Sequence, residues 1–152
     1  MIFFLLFIIF FTYFSLFISG TIRLFTILYA IPLALNAEAV LHSNNSRDID
    51  DDRRAGCYTL AVIIGPTASH LLFALLLFIP YILFFVGAIH SSFWLLLPMI
   101  TIPKAFALEK QFRNGDLRFL PKQMARLSFY FGMFYLLACY MSHPVMLPGL
   151  FH

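Results

Sequence analysis

The chain has 152 residues, 62% hydrophobic, 18% aromatic and 11% charged, with a net charge of +3. A soluble domain carries about 25% charged residues, so the composition excludes a soluble domain and defines an all-α integral membrane protein, long enough for about five transmembrane helices of roughly 20 residues each. The basic balance does not imply nucleic acid, because no basic patch is interleaved with exposed aromatic residues.

Residues 1–22 carry no charge, and the first span is read over about 2–18, ended by Ser19-Gly20-Thr21. It lacks a basic n-region and is long for the apolar core of a signal peptide, so it reads as a retained span. The second runs from about 22 to 42 and meets a polar island at 44–54. The third lies in the apolar stretch of about 58–89, broken near Gly65-Pro66 into a short lead at 59–64 and a main span at 67–88. Neighbouring helices can satisfy the carbonyl freed by Pro80. The fourth span, about 93–112, is bent by Pro98 and Pro103, a second polar loop covers 113–124, and the fifth span runs from about 125 to 141. The tail from Ser142, with Pro144 and Pro148, is expected to be irregular. Cys57 and Cys139 stand alone in or beside apolar segments, without metal or redox spacing.

With five spans, both polar loops fall on one side. That side carries Arg47, Arg53, Arg54, Arg113, Arg118 and Lys122, with Lys110 and Arg126 at its helix ends, against Arg23 on the other. The positive-inside rule makes the crowded side cytosolic. The sequon at Asn44-Asn45-Ser46 is then expected to stay unglycosylated, since its acceptor faces the cytosol.

The island carries the chemistry. Four of the seven acidic residues lie between positions 48 and 52. Asp48 and Asp52 are four apart, and on a helical turn their Cβ atoms stack about 5–6 Å apart. Carboxylates that close repel unless a cation lies beside them, and Mg²⁺ takes one or two carboxylates with water and phosphate oxygens completing its octahedron. Asn44, one turn earlier, adds an amide ligand, and Arg47, Arg53 and Arg54 offer forked hydrogen bonds to phosphate. An EF-hand is excluded, because Arg53 stands where glycine is required and Thr59 where the bidentate Glu belongs. Arginine anchoring of anionic lipid headgroups is another use. Spacing alone does not choose between a metal–diphosphate site and a solvated loop of mutually neutralising charges.

Further residues belong to the reading. Glu38 and His42, four apart near the end of the second span, are candidates to line a cavity, against an interfacial pair that anchors the helix. Lys104 either snorkels or lines the cavity. His70, His90, Glu109 and Lys110 read as helix-end or interfacial residues. A channel would want acids along a pore rather than in one loop.

The stretch Tyr29-Ala30-Ile31-Pro32-Leu33-Ala34-Leu35, with Glu38-Ala39, Leu41-His42-Ser43-Asn44-Asn45, Arg47-Asp48, Asp52-Arg53 and Ala55-Gly56, resembles the second aspartate-rich motif of the UbiA prenyltransferases. The likeness continues through Thr59-Leu60-Ala61, Ile64-Gly65-Pro66, Leu97-Pro98, Thr101-Ile102-Pro103 and Gln111-Phe112-Arg113, strongest over about 19–141. It implies that residues 1–152 form a partial UbiA domain, the C-terminal half of the helical bundle, with the family's other aspartate motif expected in a preceding half or in a separately encoded N-terminal partner. The implied activity is Mg²⁺-assisted transfer of an isoprenyl chain, geranylgeranyl by the nearest likeness, from its diphosphate to a naphthoquinol-type aromatic acceptor. The implied product is menaquinone, with ubiquinone-type synthesis as the neighbouring case. In that likeness Asp48 and Asp52 are catalytic, Asn44, Asp48 and Asp52 bind metal, and Asn44, Arg47 and Arg53 bind diphosphate. The implied location is the endoplasmic reticulum or Golgi membrane, with a mitochondrial membrane as the alternative. The competing expectation is a non-catalytic, truncated membrane protein that binds isoprenoid diphosphate, lipid or a partner chain.

Overall fold

The computed structural model describes residues 24–90 and 92–142. The expected first span and the tail beyond Ser142 lie outside these residues. The described part is helical throughout: α1 (Leu24–Arg47), a short α2 (Ile49–Arg54), α3 (Leu60–His90), a 3₁₀ helix (Phe93–Thr101), α4 (Ile102–Arg113) and α5 (Leu120–Met141).

Two of the described helices, α3 and α5, are long and apolar enough to cross a membrane. The second expected span is longer than its apolar run, because α1 continues past residue 42 to Arg47 and takes in the first part of the polar island. The expected fourth span is not one helix. Pro98 sits inside the 3₁₀ helix and Pro103 in the first turn of α4. A proline donates no backbone hydrogen bond and crowds the preceding turn, and a first helical turn is where it is tolerated. The fifth helix begins at Leu120 rather than near 125, with Pro121 in its first turn.

The expected break in α3 falls where the sequence placed it. Gly65 has φ 77° and ψ 172°, a conformation that side-chain-bearing residues scarcely adopt. Pro66 drives its predecessor out of the α region and then opens the following helix.

Packing is built on α3 and α5. Phe73 and Phe131 are fully buried. Phe131 meets Tyr81 and Phe84 edge-on, with ring centroids 5.4 Å apart in each case, and Phe84 meets Tyr135 at 4.9 Å. Phe73 stacks on Phe112 at 4.8 Å, which draws the C-terminal end of α4 beside the N-terminal part of α3. Tyr81, buried here, shares a 2.7 Å hydrogen bond with Thr101. The outer surface is apolar, with Ile63, Leu71, Ile82, Phe85, Phe129 and Leu136 all exposed, as suits a lipid-facing wall.

These contacts place the loop between α1 and α3 and the loop between α4 and α5 at one end of the bundle. Gly65→Ala tests the kink. No atom lies within 4 Å of the Cβ it would add, so any cost is backbone strain of about 1–3 kcal/mol. A lowered unfolding midpoint in detergent is expected, whereas an unchanged midpoint would show that the kink is not required.

Candidate functional site

The polar island folds as a nearly continuous helical path. The Asp48 amide donates to the Asn44 carbonyl at 3.1 Å, and the Asp52 amide to the Asp48 carbonyl at 2.8 Å. Asn44, Asp48 and Asp52 therefore follow each other at one-turn intervals, and all three are half-buried. The intervening charged residues Arg47, Asp50, Asp51, Arg53 and Arg54 are exposed. The island thus has a half-buried face of oxygen donors, with Asp50, Asp51, Arg53 and Arg54 turned to solvent. Ile49, buried between them, fixes α2 on the bundle.

The outward charges pair locally. Arg53 reaches Asp50 at 3.8 Å, and Arg54 donates to Asp51. Arg47 grips both Asp48 oxygens, each at 2.7 Å. That hydrogen-bonded pair holds the Asp48 carboxyl below the usual carboxylate range and raises the Arg47 guanidinium. Among the described residues Asp52 has no arginine partner. Its carboxylate accepts from the Thr59 hydroxyl at 3.3 Å. The Thr59 hydroxyl in turn accepts from the Val62 amide at 3.4 Å, capping the start of α3.

Beneath the island lies a buried polar layer. His42 is 3% exposed, and its Nε2 is 3.0 Å from the Ser69 carbonyl oxygen, a contact in which the ring N–H donates. Glu38, 9% exposed, lies one turn before it and within electrostatic reach. Asn36, deeper still and 1% exposed, donates to the Pro32 carbonyl at 3.3 Å and accepts from Ser128 at 3.5 Å. Lys104 is exposed on α4 and donates to Gln123 at 3.1 Å. Its hydrogen bond thus ties it to α5, away from the Glu38–His42 layer.

Sequence reasoning missed two features. Asn36–Ser128 joins α1 to α5, and His70–Glu109, at 2.9 Å, joins α3 to α4. Neither had a local signal, since the partners are 92 and 39 residues apart. Glu109 also faces Arg113 of its own helix at 3.9 Å, and its contact with His70 makes it an inter-helix tie rather than a simple interfacial residue.

The inward donors are all oxygen, the preference of a hard cation, and Mg²⁺ needs only one or two carboxylates when phosphate and water fill its remaining positions. The face fits such a cation in chemistry but as a partial set. Among the described residues no three His, Cys, Asp or Glu side chains converge as a metal cage, and the Asp48 oxygens are held by Arg47.

An apolar helical bundle with a half-buried Asn/Asp/Asp face at its polar end defines a class, and the comparisons supply the family. The UbiA prenyltransferase family profile matches residues 1–137, and the chain belongs to that family. It is 53% identical over 133 residues to the UbiA prenyltransferase domain-containing protein 1 homolog of Drosophila melanogaster, covering 87% of this chain and 37% of the fly protein. It is 48% identical over 131 residues to UbiA prenyltransferase domain-containing protein 1 of Mus musculus (86% of this chain, 39% of the relative). With the Homo sapiens protein it shares 47% over 129 residues (85% of this chain, 38% of the relative). The chain therefore spans under two fifths of the length of the curated relatives it matches.

The Arg47–Asp48 pair makes a pH prediction. Because the folded-state pKa of Asp48 is depressed, its contribution is present above the ordinary carboxylate range and lost as pH falls through the lowered value. In Arg47→Met the Asp48 titration followed by isotope-edited infrared spectroscopy should move up toward the ordinary range. An unmoved titration would show that Arg47 is not its cause.

Proposed function

We propose that this chain provides one aspartate-bearing half of a membrane prenyltransferase site. The observation that carries the reading is the alignment of Asn44, Asp48 and Asp52 on one half-buried face at the polar end of an apolar bundle. The donor substrate is an isoprenyl diphosphate, with geranylgeranyl as the chain suggested by the likeness to the animal relatives. The acceptor is a naphthoquinol-type aromatic ring, and the product is of the menaquinone (vitamin K2) type, with ubiquinone-type synthesis as the neighbouring reaction.

The chemistry assigns work to the residues in order. Asn44, Asp48 and Asp52 would hold Mg²⁺, which when bound neutralises charge on a departing diphosphate. Arg47 and Arg53 lie beside that face and offer guanidinium forks to the diphosphate oxygens. The allylic carbon–oxygen bond breaks with its electron pair leaving on diphosphate. A ring carbon of the acceptor then attacks the allylic cation and loses its proton. The apolar bundle keeps water from that cation. Glu38 and His42 would support the face from the buried layer beneath it, and Lys104, exposed and hydrogen-bonded to Gln123, would lie toward the outer side. The Lys and Arg residues gathered at the two loops support a cytosolic site end, and on this reading the chain lies in an endoplasmic reticulum or Golgi membrane.

One observation favours a second reading. The described residues hold only a partial donor set, with Asp48 paired to Arg47. A chain working alone would then bind isoprenoid diphosphate, lipid or a partner without turnover, and catalysis would require the other aspartate motif from a preceding segment or a separate chain.

Asp48→Ala in a form containing both motifs tests the first reading. Mg²⁺-dependent transfer of a radiolabelled geranylgeranyl group to a naphthoquinol should fall by at least two orders of magnitude, while membrane insertion is retained. Undiminished transfer would remove Asp48 from the mechanism. Loss of diphosphate binding without any wild-type turnover would favour the second reading.

A further inference from the structure

The two polar loops at the site end treat their cations differently. In the island each of Arg47, Arg53 and Arg54 faces an aspartate. Around the second loop Lys110, Arg113, Arg118, Lys122 and Arg126 are all exposed. Among the described residues Arg113 alone of these five has an ion pair, with Glu109 at 3.9 Å, and Glu109 is held more closely by His70. Asp116, the acid within the loop, accepts from the Gln111 amide at 3.3 Å.

Their positions on the helices turn this charge into a surface. On α4, Phe106, Lys110 and Arg113 recur at helical spacing on one face, and on α5 so do Lys122, Arg126, Phe129 and Met133. Phe106, Phe129 and Met133 are exposed. Each outward face therefore changes from apolar to cationic as it nears the loop, with Arg126 about 4.5 Å along the axis from Phe129 at a rise of about 1.5 Å per residue. At the loop itself the Arg118 guanidinium lies 5.0 Å from the centre of the exposed Phe119 ring. An aromatic ring with a cation over it suits the boundary between headgroups and acyl chains.

We propose that this cationic collar binds the headgroups of anionic phospholipids in the surrounding bilayer, with their acyl chains lying along Phe106, Phe129 and Met133. The charge selects the occupant. Unpaired guanidinium and ammonium groups gain from a net-negative headgroup and are offered no such gain by one that carries its own ammonium. The surface lies on the outward faces of α4 and α5, and the inference is independent of prenyl transfer.

The test reconstitutes the 152-residue chain in nanodiscs of phosphatidylcholine with a minor fraction of phosphatidylglycerol, then counts retained lipids by native mass spectrometry. Phosphatidylglycerol should be enriched over its share of the disc. Replacing Lys110, Arg118, Lys122 and Arg126 together by Gln should reduce the enrichment at least fivefold, roughly the effect of one interfacial cation. Lys110→Arg with Lys122→Arg should preserve it. Equal retention of the two lipids by the wild type, or undiminished enrichment in the four-Gln variant, would overturn the proposal. If that variant fails to insert, the wild type decides. Reconstitution in about 1 M salt, where screening falls to about 3 Å, should abolish the enrichment, and enrichment indifferent to salt would overturn the proposal.

Discussion

Wherever lipid replaces water, a polar group must find its partner within the chain, and that constraint arranges this molecule. Side-chain polarity in α1 rises toward one end: Asn36 is tied to Ser128, Glu38 lies one turn before His42, His42 is tied to the Ser69 carbonyl, and the aspartates begin beyond them. The His42 contact is buried on both sides, where a hydrogen bond is stronger than in water. It fixes the register of α1 against α3 two residues before Asn44. The inward face of the island therefore inherits its position from a buried tie between two helices, and the outward face is free to carry the solvated ion pairs.

Those ion pairs contribute little to stability, since exposed pairs are worth about 0–1 kcal/mol. Their consequence is electrostatic division of labour. Asp50 and Asp51 pair with Arg53 and Arg54, while Asp52 is held by the neutral Thr59 hydroxyl on the half-buried side. Asp48 is intermediate, on the same face as Asp52 yet gripped by Arg47. Recruiting it to a cation would release a guanidinium beside that face.

Much of this was legible in the sequence, and the reasons differ by element. The helical membrane class followed from composition. The break at Gly65-Pro66 was readable because glycine and proline constrain the backbone locally. The one-turn spacing of Asn44, Asp48 and Asp52 survived because the backbone hydrogen bonds pass through the boundary between α1 and α2. The end of α1 was misjudged because hydropathy marks where lipid ends, whereas a helix continues as long as its backbone hydrogen bonds do. The fourth segment was expected as one span bent by Pro98 and Pro103, and nothing in the sequence signalled that the chain changes from a 3₁₀ to an α-helix between those prolines. The Asn36–Ser128 and His70–Glu109 ties were invisible, because tertiary contacts between distant residues leave no periodic signal in a single sequence.

The central claim is that Asn44, Asp48 and Asp52 act together as a face that holds a divalent cation with an isoprenyl diphosphate. The exposed Cys57 offers a direct probe, since its amide donates to the Asp52 carbonyl at 2.8 Å. A nitroxide attached there, with Cys139 replaced by Ala, can report Mn²⁺ binding in place of Mg²⁺ through its electron-spin relaxation. With a non-reactive thiolo-diphosphate analogue of the geranylgeranyl donor, the account predicts fast relaxation of the label that disappears in Asp48→Asn/Asp52→Asn. Relaxation unchanged in that double variant, or no Mn²⁺ effect with the analogue present, would contradict it.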